Sequence, residues 1–150
     1  MTVKTSTGTI LSVVKAEPAT YDEAGYGDLT FVEVGEVTDI PEYGPTASVV
    51  THEPLATGIT QKFKGFIDYG SVSLGLGYDT TDDGQEILSA GVDGDGQYDE
   101  HSFKVEYSDG EVDYFTAKIF SYTKNPSTSN SIVASTVSIE INTSITTVTA

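Results

Sequence analysis

Between Lys62 and Leu88 the hydrophobic period changes from that of a strand to that of a helix, and this switch constrains the whole chain. Val72, Leu74, Leu76 and Tyr78 alternate with Ser71, Ser73, Gly75 and Gly77. That is a strand with one buried face and one face of very small side chains, and Lys62 through Tyr78 reads as a single such strand. At Asp79 the alternation breaks into Thr80, Thr81, Asp82, Asp83 and Gly84. Asp82 with Gln85 in the third position after it predicts a helix start, the carboxylate accepting from orphan backbone N–H groups while Gln85 reaches back to the cap. Asp83 and Glu86 place negative charge in the first turn, against the helix dipole. Ile87 and Leu88 give an inward face, and Gly91 is the expected stop. The helix, expected at about residues 83–90, is too short to persist without packing.

The strands must then be found on either side. Thr9–Val14 and Leu29–Val34 are β-branched runs, the second extending past Gly35 towards Ile40, with loop expected at 22–28. Val92–Glu100 is a Gly/Asp-rich loop. Phe103, Val105 and Tyr107 alternate with Lys104 and Glu106, Ser108-Asp109-Gly110 is a hairpin turn, and Val112–Tyr122 returns as the partner. After a polar turn at 125–130, Ile132–Asn142 is a strand with Val137, Ile139 and Ile141 on one face. The reading is a mainly β fold, a sandwich or barrel of six to seven mostly antiparallel strands with one short flanking helix. At 150 residues it is one domain, with 143–150 as a C-terminal extension.

The stretch 41–60 stands apart. It carries Pro41, Pro45, Pro54 and Gly44 with little periodicity, and loops of this length are functional or mobile. Tyr43, Val49, Val50 and Leu55 make it more apolar than a solvated linker needs. It reads as a segment that orders on a partner rather than as a surface hairpin folded over the core.

Charge narrows the function classes. There are 23 Asp and Glu against 7 Lys, no Arg, and a formal charge of −16, which repels nucleic acid and anionic lipid. From Asn125 to Ala150 Glu140 is the sole charged side chain and twelve positions are Ser or Thr, which suits a strand meeting another protein surface. The chain has no cysteine, no pattern of a signal peptide and no stretch of bilayer-spanning length.

A catalytic constellation is not found. His52-Glu53 begins a zinc-protease motif, but Ala56 stands where the second histidine belongs, and His101 is the other imidazole. No serine lies in a G-x-S-x-G elbow. A calcium loop starting at Asp93 would need an acid at Gln97, glycine at Tyr98 and glutamate at Lys104, which leaves a looser cluster of Asp93, Asp95 and Asp99 as the metal candidate. The expectation is a non-enzyme without cofactor.

Asp68-x-Gly70, Leu74 and the run Asp79-x-x-Asp82-x-Gly84-Gln85 with Leu88 resemble the central segment of the tail tube proteins, the major tail proteins of long, mostly non-contractile phage tails. Ile40-Pro41-Glu42-Tyr43-Gly44, Pro54-Leu55-Ala56-x-Gly58 and Lys62-x-Lys64-Gly65 are similar to that family's long loop, and Val112-Asp113-Tyr114-Phe115, Asn130-Ser131 and Val137–Ile141 to its closing strands. The resemblance implies a structural virion protein that assembles in the host cytoplasm into hexameric rings, stacked as a DNA-conducting tail tube. Its partners would be further copies of itself and the tape measure, tail tip and terminator proteins, with no membrane. Pro41, Tyr43, Pro45, Val49, Val50, Pro54 and Leu55 would then belong to the assembly loop. An acidic lumen would let DNA slide without retained phosphate contacts, and Asp68, Glu106 and Asp113 are the candidates to line it, as strand positions facing away from the core. The alternatives are a soluble carbohydrate- or calcium-binding β-domain of lectin or adhesin type, and a secretion-system tube or tail completion protein.

Overall fold

The computed structural model describes residues 3–149. Strands β1 (Ile10–Val14), β2 (Val32–Glu33), β3 (Val37–Asp39), β6 (Ser71–Gly77), β7 (His101–Glu106), β8 (Val112–Asn125), β9 (Ala134–Ile141) and β10 (Thr146–Val148) form one antiparallel sheet. Its order is β2-β1-β7-β8-β9-β6-β3, with β10 paired to the start of β8. Among the described residues, strands β4 (Thr46–His52) and β5 (Gln61–Asp68) pair only with each other. Among the described residues two helices, α1 (Glu23–Gly27) and α2 (Asp83–Asp93), complete the fold.

The connectivity dictates the shape. β2 and β3 lie at opposite ends of the sheet, yet only Val34, Gly35 and Glu36 separate them in sequence. Four Cα steps reach at most about 14 Å, so the two ends must curl towards each other. Inside the curl lie Leu11, Val13, Val72, Leu74, Leu76, Phe103, Val105, Phe115, Val137 and Ile139, each at most 2% exposed, together with Leu88 of α2. The alternations read from sequence therefore do face one core.

Helix α2 seals the seam. Asp82 caps it, accepting from Gln85 N at 2.9 Å, and the same carboxylate oxygen accepts from Gly35 N at 3.0 Å. Gln85 does not reach back to its cap as expected. It is 1% exposed, and its Nε2 donates to Gly35 O at 3.0 Å and Gly77 O at 2.8 Å. Its Oε1 accepts from Asp79 N at 3.1 Å and Tyr122 O–H at 2.8 Å. The amide thus ties the link between β2 and β3 to β6 and β8. Gly84 allows this approach, because a Cβ there would lie 2.4 Å from Glu33 O.

Four further expectations need correction. The helix runs to Asp93, with Gly91 buried inside it and Gly94 at the cap donating to Ala90 O. Residues 22–28 include helix α1, held by the Asp22 cap and by Tyr26, which is fully buried, stacks on Tyr114 and bonds Thr116. Lys62–Tyr78 is two strands, broken at Tyr69–Gly70 where φ of Gly70 is +99° and Asp68 Oδ1 accepts from Gly70 N. The stretch 41–60 is not structureless, since β4 occupies its middle.

Candidate assembly surface

The β4–β5 hairpin is an arm that departs from the barrel. Val49, Val50, Phe63, Phe66 and Ile67 on its strands are 51–93% exposed, as are Ile59 at 67% and Leu55 at 101% in its connecting loop. A two-stranded ribbon with apolar side chains on both faces is marginal in water by itself, and an apolar patch of this kind marks a surface that meets another protein. Cross-strand register sets Ala47 opposite Ile67, Val49 opposite Lys64 and Thr51 opposite Lys62 on one face. Val50 opposite Phe63 and His52 opposite Gln61 make the other. Between the Ala47–Ile67 and Val49–Lys64 pairs β5 has one residue more than β4, so Gly65 and Phe66 lie at a bulge, with Phe66 93% exposed.

The root of the arm is bonded into the barrel. Tyr43 packs on the ring of Phe115 at 5.7 Å, and its hydroxyl donates to Asp113 Oδ2 at 2.6 Å while contacting the Tyr107 hydroxyl. Tyr107 donates to the same carboxylate oxygen at 3.0 Å, and Thr147 of β10 to Oδ1 at 2.7 Å. Burial, reinforced by the bond to Asp113, holds the Tyr43 phenol well above the ordinary tyrosine range, and burial also raises Tyr107. Gly44 N donates to Tyr69 O across the root at 3.3 Å. The carboxylate of Asp113 thus gathers the arm root, the residue that follows β7 and strand β10 at one point.

A sequence profile of the lambda phage tail tube protein family matches residues 14–147. The chain belongs to that family. It is a structural component of a phage-type virion tail, a tail tube protein that self-assembles. No curated protein sequence matches the chain. Among solved structures, the fold is similar to a chain in the C6-symmetric tail of the empty GTA particle, with a TM-score of 0.69 at 10% identity over 98% of this chain and 100% of that one. A chain of the native gene transfer agent virion gives 0.69 at 12% identity, again over 98% and 100%. A chain of the sheath/tube terminator of the PVC extracellular contractile injection system, in its extended state, gives 0.67 at 10% identity over 99% of both.

The residues singled out in this tail tube protein fall into three groups. Val49, Val50 and Leu55 lie on the exposed arm, with Pro45 at its start and Pro54 half-buried in its turn. Pro41 and Tyr43 belong to the root, and Tyr43 is bonded inward rather than presented to a partner. Of the acids expected to face away from the core, Asp68 is exposed and Glu106 half-exposed. Asp113 is 8% exposed and engaged by three hydroxyls, so it points inward, a correction whose cause is its place between Tyr43, Tyr107 and Thr147. The candidate metal loop does not converge: Asp95 pairs with Lys15 at 2.8 Å, and among the described residues no three His, Asp or Glu side chains are grouped to hold an ion. Among the described residues no helix is long and apolar enough to cross a membrane.

Sequence reasoning missed Phe63, Phe66 and Ile67 as arm residues, because KFKGFID was absorbed into the strand that follows it. Asp68-x-Gly70, where an Asx turn can form, was the signal that could have separated the two.

Proposed function

We propose that the arm Thr46–Asp68 is the clasp by which one ring of this tail tube protein grips the next, in a tube of stacked hexameric rings. The observation that carries this is the arm itself: seven large apolar side chains, more than half exposed, on a hairpin whose root is bonded into the barrel. Burying a Val, Ile or Phe side chain is worth about 1.5–3 kcal/mol. Several such side chains seated on a neighbour therefore supply enough to overcome both the entropy of association and the repulsion between copies that each carry −16. The rest of the surface then serves the conduit. Asp68, at the foot of the arm where it stays with its own barrel, and Glu106 are the acids we assign to the lumen, where negative charge leaves DNA free to slide. Tape measure, tail tip and terminator proteins are the other expected partners.

The test replaces Thr46–Ile67 by a short Gly/Ser turn, keeping Tyr43, Gly44, Asp68 and Gly70 at the root. The protein should remain folded and monomeric, with a thermal midpoint close to that of the intact chain, and should form no tubes in electron micrographs. Normal tubes from this variant would contradict the proposal.

A further inference from the structure

The distribution of lysine carries a further inference, which rests on the arm being the clasp. Lys4 pairs with Asp109 and Glu111 at 2.9 and 2.6 Å, Lys15 with Asp95, Lys104 with Glu106 at 3.8 Å and Lys118 with Glu100 at 3.9 Å. Lys124 lies over the ring of Tyr78 at 4.9 Å. Among the described residues, Lys62 and Lys64 have neither a carboxylate within 4 Å nor an aromatic ring beneath them. Both are exposed, and both stand on the arm face that also carries Val49 and Ile67.

The arm is also electrically distinct. Thr46–Asp68 contains Lys62, Lys64, Glu53 and Asp68 and so has no net charge, while the whole −16 falls on the remainder of the chain. Asp68 is turned to its own root by the bond from Gly70 N at 2.9 Å, which leaves the two lysines dominant on their face. Two copies meeting barrel to barrel would oppose strong like charge. An arm meeting a barrel brings two cations and a row of apolar side chains to a surface that is densely anionic.

We propose that Lys62 and Lys64 dock the arm on the acidic barrel surface of a second copy of this chain, so that ring stacking is charge-directed as well as hydrophobic. Double-stranded DNA would satisfy the lysines but would leave Val49 and Ile67 facing phosphate and water; a second copy satisfies both. Charge pairs of this kind set which surface is chosen and in what register.

The experiment compares four purified full-length proteins at 0.15 M salt: wild type, Lys62→Glu/Lys64→Glu, Lys62→Arg/Lys64→Arg and Lys62→Gln/Lys64→Gln. Both positions are exposed, and matching thermal midpoints would show that the fold is intact. We expect the arginine pair to form tubes as wild type does. The glutamate pair should raise the critical concentration for polymerisation roughly a hundredfold, about one decade for each reversed charge. A neutral pair, Lys62→Gln/Lys64→Gln, should fall between, and its deficit should shrink as salt is raised and the charges are screened. Wild-type assembly by the glutamate pair would overturn the inference and place the partner of these lysines outside the chain. Failure of both the glutamate and arginine pairs would overturn it equally, since shape rather than charge would be at stake. If removal of the whole arm abolishes tubes while charge reversal does not, this inference falls and the clasp stands. If neither change matters, both fall.

Discussion

Gln85→Glu is a change of one group that tests how the barrel is closed. The wild-type amide fills all four of its hydrogen-bonding positions at a site 1% exposed: two N–H donations, to Gly35 O and Gly77 O, and two acceptances, from Asp79 N and Tyr122 O–H. A carboxylate keeps the acceptances and has no hydrogen for either carbonyl. Each orphaned buried carbonyl costs about 1–3 kcal/mol, so the loss should be roughly 2–6 kcal/mol before the charge itself is considered. Burying that charge adds to the cost unless the acid takes up a proton. Against a domain stability of about 5–15 kcal/mol, the effect is large for a change that adds no bulk. Urea unfolding at pH 7 should show a lower midpoint with an unchanged slope. On acidification the protonated acid regains one donor, so the gap to wild type should narrow. A variant within about 0.5 kcal/mol of wild type, the range of an ordinary surface change, would refute the idea that this amide seals the seam.

Two further outcomes follow from buried polar groups. Tyr43→Phe removes the hydroxyl that donates to Asp113 at 2.6 Å; it should cost about 1–3 kcal/mol and speed hydrogen exchange at Gly44 N, whereas unchanged exchange would mean that the arm root is held by packing alone. His101 is fully buried, its Nδ1 placed to donate to Asp99 O at 3.1 Å and its Nε2 without a partner among the described residues, and burial holds its pKa below the ordinary value. The unfolded chain then binds a proton there below about pH 6.5 while the folded one does not, so stability is full above that pH and falls as pH drops towards the folded value, by up to 1.36 kcal/mol per unit. His101→Gln should flatten this fall in urea unfolding between pH 7 and 5, and an unchanged slope would exclude His101 as its source.

What could be read from the sequence was whatever is written locally. The alternation through Val72, Leu74 and Leu76, the Asp109-Gly110 turn and the Asp82 cap depend on neighbours within a few residues, and the structure contains all three. Helix α1 was illegible because EAGYG has two glycines and no apolar period; its stability comes from Tyr26 stacked on Tyr114, far away in sequence. The arm was half legible. Its apolar content stood out, but its pairing links Thr46–His52 to Gln61–Asp68 across a proline-bearing loop, and neither strand alternates cleanly. Gln85 looked like part of a capping box because its true acceptors, Gly35 O and Gly77 O, are brought to it only by the closing of the barrel. Asp113 looked like an outward strand position for the same reason: Tyr43, which claims it, lies 70 residues earlier.

The central claim is that this tail tube protein stacks through its arm, and a cryo-electron microscopy map of tubes grown from the purified full-length protein tests it most directly. The expected map shows six copies per ring, with the density of Thr46–Asp68 leaving its own barrel and lying on a copy in the adjacent ring. A map in which that hairpin folds back on its own ring, with the rings joined through other surfaces, would contradict the account.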